Sequence, residues 1–353
     1  MLVIPPQLRQ LADAIRPALG LPQSGNAVTP EISLARFASE RHRIGPLLHR
    51  AWSGRADADG ETIAYLAQAA AHNARCELRQ KAGARKFGNL LDANGIGWTE
   101  FKGWRLGEQL YGESALRQSK DVDLLLPSDR VLDALNLAAK SGYRIGGRSG
   151  NFALRKARWV LRHHREIGIV DPKLRIEIEV HSRLLGYPPE GWSDPVVTHA
   201  AGGGTVSIDD PDYVLYLVVH GMLTGWKRLK WLCDMVMLMQ KVSPAVRGAT
   251  IARSRELHCE PALVASLLAV SELWGDEIIS PWLAETRTSP GDVRVQGHLA
   301  AISRRLGLDK QASFAERAMR HAGILHDTAV FGRHPAPLRG LRDRAVLWFL
   351  ARL

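Results

Sequence analysis

The chain has 353 residues, of which 46% are hydrophobic and 24% charged, and its 47 Lys and Arg against 36 Asp and Glu give a formal net charge of +11. That length is ample for a large core and suggests two domains or three, and the composition is ordinary for a globular protein. The basic balance favours polyanionic partners such as nucleotides, RNA or acidic lipid, unless Arg is merely a common surface residue here. Cys76, Cys233 and Cys259 are odd in number and show no CxxC spacing. They indicate neither a zinc site nor a disulfide framework, so a reducing cytosol and a cytoplasmic location are expected. The opening MLVIPPQLRQ lacks a charged region followed by a long apolar stretch, so no signal peptide is expected. Apolar runs such as 213–219 are too short for a transmembrane segment.

In chain order, residues 1–95 read as helical. Leu8, Leu11, Ala12 and Ile15 recur at helical spacing, as do Phe37, Ile44, Leu47 and Leu48. The longest helix is expected over 61–94, rich in Ala, Leu, Gln, Lys and Arg and ended by Asn94-Gly95. The texture then changes. A strand is expected over 96–101, a short helix over 105–111 and a strand over 122–126 closed by Pro127. Ser128 is placed to cap a helix over 129–141 that Gly142 ends. Residues 175–180 (RIEIEV) alternate strictly and predict a strand, with Glu177 and Glu179 on one face. Pro188-Pro189 and Gly202-Gly203-Gly204 mark a boundary. Helices resume with Asp209 or Asp210 as cap and Pro211 in the first turn, then over 226–240, 260–274 and 292–306. The tail 338–353 reads as a basic amphipathic helix, fit to pack on its own domain or to touch a membrane or partner.

The chemistry concentrates between Phe101 and Leu126. Residues two apart on a strand share a side, so Asp121 and Asp123 would project together from an otherwise buried strand. Such a pair is costly without a cation, and two Mg²⁺ ions are the usual remedy; a solvated strand end is the bland alternative. Asp-x-Asp also occurs at Asp57/Asp59 and Asp210/Asp212, but without strand context. A third carboxylate should come from a neighbouring strand. Glu179 is the choice, because Glu179-Val180-His181 closes the alternating strand; Glu177 reads equally as an exposed strand face. His181 would orient Glu179, meet substrate or serve as a satisfied core histidine. Lys102-Gly103 follows a strand and precedes a helix, where backbone N–H groups can cradle phosphate. Arg117 and Ser119 lie on the loop just before Asp121. Arg117 is placed to contact phosphate oxygens, or is an exposed loop residue.

Lys102-Gly103, Leu110-Tyr111, the Arg-x-Ser-x-Asp-Val-Asp run at 117–123 and Glu179-Val180-His181 together resemble the polymerase-β-like nucleotidyltransferase superfamily. Within it the chain is most similar to the bacterial "uncharacterised nucleotidyltransferase" family, several members of which are associated with biosynthesis clusters for modified peptides. RHRIGPLL at 41–48 resembles that family's N-terminal helical signature, and His220, Trp226 and LKWLCD at 229–234 its C-terminal one. The likeness spans about 35–240, and 240–353 matches nothing recognisable.

The resemblance implies an α+β fold: a small mixed sheet over 96–204, with helical regions at 1–95 and 205–353. It implies two Mg²⁺ held by Asp121, Asp123 and Glu179, and an NTP, ATP by default, as substrate. Lys102 and Gly103 stand where many superfamily members have Gly-Ser, so a cradle here lacks the serine hydroxyl. Glu179 replaces the more usual Asp and reaches about one methylene further. His220 and Asp234 would face the cleft as acceptor contacts or support it from behind, or His220 would simply join two helices; Trp226 and Trp231 read as core or as a base-stacking platform. The leading function is transfer of NMP to a hydroxyl-type acceptor (peptide, small molecule or RNA) with release of pyrophosphate. The alternatives are a catalytically degenerate module that binds RNA or peptide, and a kinase-like or toxin variant of the same metal site.

Overall fold

The computed structural model describes residues 2–26, 28–146, 154–186, 188–194 and 203–306. The N-terminal helices are α1 (Pro6–Ala14), α2 (Ile32–Arg36), α3 (Gly45–Trp52) and α4 (Gly60–Asp92). Asp59 caps α4 by accepting from Thr62 N–H at 2.7 Å, and Gly95, at φ 61°, turns the chain out of it as expected. The helical spacing over 36–52 does not form one helix. A π-helical turn, Phe37–His42, ends at Arg43 in the left-handed region (φ 56°). Gly45 then packs so closely that a Cβ would lie 2.5 Å from Ser39 Oγ.

The central region holds β1 (Thr99–Glu100), α5 (Gly103–Tyr111), β2 (Val122–Leu125), α6 (Val131–Lys140), β3 (Arg144–Ile145), α7 (Leu154–His163), β4 (Glu166–Asp171), β5 (Ile176–His181) and β6 (Gly204–Thr205). The strand expected over 96–101 keeps only two paired residues. Ser128 does not cap α6; Arg130 is the N-cap, without a side-chain bond, and its N–H donates to Pro127 O at 2.9 Å in a turn. β3, α7 and β4 were not anticipated. β4 is joined to β5 by a tight turn in which the Asp171 carboxylate accepts from the N–H groups of Lys173 (2.8 Å) and Leu174 (3.0 Å).

The six strands form one mixed sheet in the order β3-β4-β5-β2-β1-β6. β2 and β5 are parallel neighbours, and β4 pairs antiparallel with β5. One face is apolar: Val122, Leu124, Ile167, Ile169, Ile178 and Val180 pack with Phe87 and Leu91 of α4 and Leu135 of α6. Gly83 lets α4 lie flat on this face, because a Cβ there would fall 1.8 Å from Ile176 Cδ1. The other face presents Asp123, Glu166, Glu179 and His181, as strand alternation requires.

The C-terminal helices are α8 (Pro211–Thr224), α9 (Leu229–Lys241), α10 (Pro244–Glu256), α11 (Glu260–Trp274), α12 (Ser280–Leu283) and α13 (Val293–Leu306). Asp210 caps α8 as expected, accepting from Asp212 N–H at 2.9 Å. The helix expected from 226 begins only at Leu229, because Gly225 (φ 64°) and Trp226 (φ 47°) form a left-handed corner. Gly221 makes room for it: a Cβ there would lie 2.2 Å from the Trp226 ring. Helices from both ends share one core, in which Leu11, Ile15 and Trp52 join Tyr213, Leu232 and Val264. The fold is thus a mixed sheet flanked by N- and C-terminal helices. The basic tail 338–353 lies outside the described residues. Among the described residues no helix is long and apolar enough to cross a membrane.

Candidate metal and nucleotide site

The parallel register of β2 and β5 sets Asp123 opposite Glu179 and Leu125 opposite His181. Asp123, Glu179 and His181 each offer a ligand atom within 4.8 Å of the others. His181 Nε2 lies 3.2 Å from Asp123 Oδ1 and 3.6 Å from Glu179 Oε2, while Nδ1 lies 3.2 Å from Glu166 Oε2. Its ring is fully buried and meets Phe101 edge-on at 4.8 Å. Asp121 precedes β2 and lies outside the group of three whose ligand atoms fall within 4.8 Å of one another. Burial raises the Asp121 pKa and repulsion from Asp123 adds to it. Glu177 pairs across β4 with Val170, on the same strand face but outside the ligand group.

Lys102 completes the pairing of Asp123. Its Nζ stands 3.6 Å from Asp123 Oδ1, the oxygen that His181 also meets, and 5.2 Å from the centre of the Tyr216 ring. Burial works against the Lys102 ammonium, but the Asp123 carboxylate and Tyr216 together outweigh it and lift the pKa to about 12. Burial likewise opposes the Asp123 carboxylate, and Lys102 and His181 together hold its pKa well below the usual range. Glu179 has weaker compensation, from His181 alone. Burial, then the charges of Asp123, Glu166 and Asp121, raise it to about 7 against the pull of His181. A half-buried carboxylate crowded by others is what a divalent cation relieves, and an oxygen-rich donor set suits a hard one. The residues present fit a metal at Asp123, Glu179 and His181.

The turn at Lys102-Gly103 opens α5 directly beside this group. Gly103 has φ 61°, and a Cβ there would lie 3.6 Å from Asp121 O and 3.9 Å from Ser119 Oγ. Ser119 Oγ donates to Asp121 O at 3.1 Å, so it braces the aspartate loop. Arg117 is buried and engaged by protein: Nε donates to Asp234 Oδ2 and Nη1 to Gly103 O, each at 3.0 Å. Tyr111 OH donates to Asp234 Oδ1 at 3.0 Å. Asp234, from α9, thereby holds the loop through Arg117. His220 sits between Tyr216 and Trp231, its ring centre 5.8 and 6.0 Å from theirs. Burial, then the charges of Lys102 and Arg165, push its pKa well below normal, so it is neutral. Lys102, Arg117, His220, Trp226, Trp231 and Asp234 line a small pocket of about 30 Å³. The structure thus brings Lys102, Gly103, Ser119, Asp121, Asp123, Glu179 and His181 together. It places Arg117, His220 and Asp234 around the adjoining pocket, with Lys102 common to both.

Sequence reasoning missed Glu166, Arg165 and Lys230. Glu166 faces His181 and accepts from Arg165 Nε at 2.8 Å, while Arg165 Nη1 donates to Leu184 O at 3.0 Å. The alternation of Glu166, Ile167, Gly168 and Ile169 was the available signal. Lys230 Nζ donates to Gln118 O at 2.6 Å, next to the aspartate loop; it stands in the LKWLCD signature, but no role was read for it there.

No curated protein and no solved structure matches the chain. A family model described as "Uncharacterised nucleotidyltransferase" matches residues 33–275, reaching past the 240 limit of the recognised motifs to the end of α11. That span takes in the sheet, the carboxylates on its polar face and the helices that meet over them, so the chain belongs to the uncharacterised nucleotidyltransferase family.

Proposed function

We propose that the protein is a Mg²⁺-dependent nucleotidyltransferase that moves NMP from an NTP, by default ATP, to a hydroxyl on a peptide, small molecule or RNA. The observation that carries this reading is the in-register pair Asp123 and Glu179, grouped with His181 within 4.8 Å on the polar face of the sheet. Asp121, Asp123 and Glu179 would hold two ions. When bound, such ions neutralise triphosphate charge and lower the pKa of an acceptor hydroxyl. Lys102 and the Gly103 backbone would bind phosphate oxygens, with Lys102 turning from Asp123 to the triphosphate. His181, grouped with Asp123 and Glu179, would be a further metal donor, and Arg117, anchored by Asp234, would position the Lys102-Gly103 turn. Helices within 1–95 and 205–306 would form the acceptor groove. Positioning and charge neutralisation supply most of the rate in such reactions.

The test is incubation with cell extract and NTP labelled at the α-phosphate, in parallel with γ-labelled NTP. Label from the α-position should appear on an acceptor and vanish with Asp121→Asn or Asp123→Asn. Label from the γ-position alone would make the enzyme a phosphotransferase. Wild-type turnover by either variant would refute the ligand assignment. One observation favours a second reading: Lys102 lies where it already neutralises Asp123, as in a binding module without chemistry. Absence of Mg²⁺-dependent NTP binding in calorimetry would select that reading.

A further inference from the structure

The loop that leads into Asp121 is held by buried polar side chains from two helices. From α4, Asn73 Nδ2 donates to Ala115 O at 2.6 Å and Gln80 Nε2 donates to Ser119 O at 3.3 Å, while Glu77 Oε1 accepts from Ser114 Oγ. Asn73, Glu77 and Gln80 lie at helical spacing on one face of α4, and all three are buried. From α9, Lys230 Nζ donates to Gln118 O at 2.6 Å, and Asp234, one turn later, accepts from Arg117 Nε at 3.0 Å. Ser119 Oγ carries the restraint on to Asp121 O at 3.1 Å. One helix belongs to the N-terminal group and the other to the C-terminal group, and the loop is where both reach the carboxylates.

Lys230 is the most informative member of this set. It is buried, makes no ion pair among the described residues, and has its amine on a single backbone carbonyl. Taking a lysine amine out of water for one neutral acceptor is costly, and an apolar side chain on α9 would pack there without that penalty. Gln80 repeats the pattern from α4, with a buried amide on Ser119 O. Buried hydrogen-bond networks rigidify what they hold. Here they hold the backbone at Gln118 and Ser119, directly ahead of Asp121.

We propose that Lys230 and Gln80 are positioning residues that clamp the 117–121 loop from two helices and so set Asp121 to join Asp123 at a metal ion. The clamp stands on the contacts above, and only the metal role of Asp121 rests on the nucleotidyl-transfer reading. Both residues act through the loop backbone and not on the ion. A loop already fixed has little backbone freedom left to lose when an ion binds, so the clamp raises ion affinity more than fold stability.

The test takes two measurements on the full chain. The first is amide hydrogen exchange by mass spectrometry in EDTA, which needs no metal. Lys230→Met and Gln80→Leu should each speed exchange in peptides covering 117–121 at an unchanged or higher melting temperature. Exchange equal to that of the wild type overturns the clamp. The second is calorimetric titration with Mg²⁺ alone, in which each variant should bind about tenfold more weakly than the wild type. Unchanged Mg²⁺ affinity, or a loss matched by a lowered melting temperature, overturns the positioning role. Lys241→Met removes a similar bond of α9, from Nζ to Gln109 O at 3.1 Å, and should leave both measurements at wild-type values. Equal losses in that variant would assign the effect to α9 as a whole and overturn the proposal. No Mg²⁺ binding by the wild type, with faster exchange in both variants, would sink the metal-dependent transfer reading and uphold the clamp.

Discussion

Lys102 Nζ stands 3.6 Å from Asp123 Oδ1, with both side chains almost wholly buried, so the amine occupies ground that a cation would share. Removing one partner of a buried pair typically costs about 3–5 kcal/mol, because the other charge is left uncompensated. Lys102→Met should therefore lower the melting temperature in EDTA. Mg²⁺ should restore part of the loss, because a divalent ion replaces the missing ammonium. Calorimetry should also show tighter Mg²⁺ binding than in the wild type. A variant that melts low and ignores Mg²⁺ would argue against a metal at Asp123.

The two aspartates should separate by stability. Asp121 carries a raised pKa, from burial and from Asp123, so its charge is a burden without a metal. Asp123 is held ionised by Lys102 and His181. Asp121→Asn should leave stability in EDTA unchanged or improved, and Asp123→Asn should reduce it by about 1–3 kcal/mol, since Lys102 loses its partner. Urea unfolding of both variants measures the difference.

Glu179 predicts the pH dependence without metal. Its folded pKa, about 7, lies above its ordinary 4.5, from burial and the neighbouring carboxylates. The folded state therefore binds the extra proton, and stability from this group falls as pH rises from about 4.5 to about 7, then levels. Glu179→Gln should remove that slope in melting curves taken across the window in EDTA. An unchanged slope would place its cause elsewhere.

Arg117 links α9 to the Lys102-Gly103 turn. Arg117→Lys cannot keep both the Asp234 and Gly103 O contacts in the same geometry. It should cost about 1–3 kcal/mol of stability and raise KM for NTP more than it lowers kcat. Steady-state kinetics at several NTP concentrations would test this split.

Gly221 controls the corner that leads into α9. A methyl there would meet the Trp226 ring at 2.2 Å, within a packed core. Gly221→Ala should destabilise by about 1–3 kcal/mol in urea unfolding, while Gly297→Ala, with open space around it, should not.

Periodicity and local chemistry were readable without coordinates. Alternation in 175–180 marks β5, Asp210-Pro211 opens α8, and Asn94-Gly95 ends α4, because each depends on neighbours within a few residues. That Asp123 and Glu179 project from one face was legible by the same route, since period two tells which residues share a face. The break at Arg43 was not, because a left-handed arginine follows from the contacts of its neighbours, Gly45 with Ser39 and His42 with Leu229, and not from propensity. β4 was also missed, and with it Glu166. What the chain determined alone was therefore its elements, its likeness to the nucleotidyltransferases and the candidate carboxylates. Only the tertiary structure decided that β2 and β5 run side by side in register, that Lys102 and His181 share one oxygen of Asp123, that Arg117 turns inward to Asp234, and that Gln80 and Lys230 reach one loop from two distant helices. Those outcomes depend on contacts between residues far apart in sequence, where strand pairing and buried charge, and not local spacing, choose the partner.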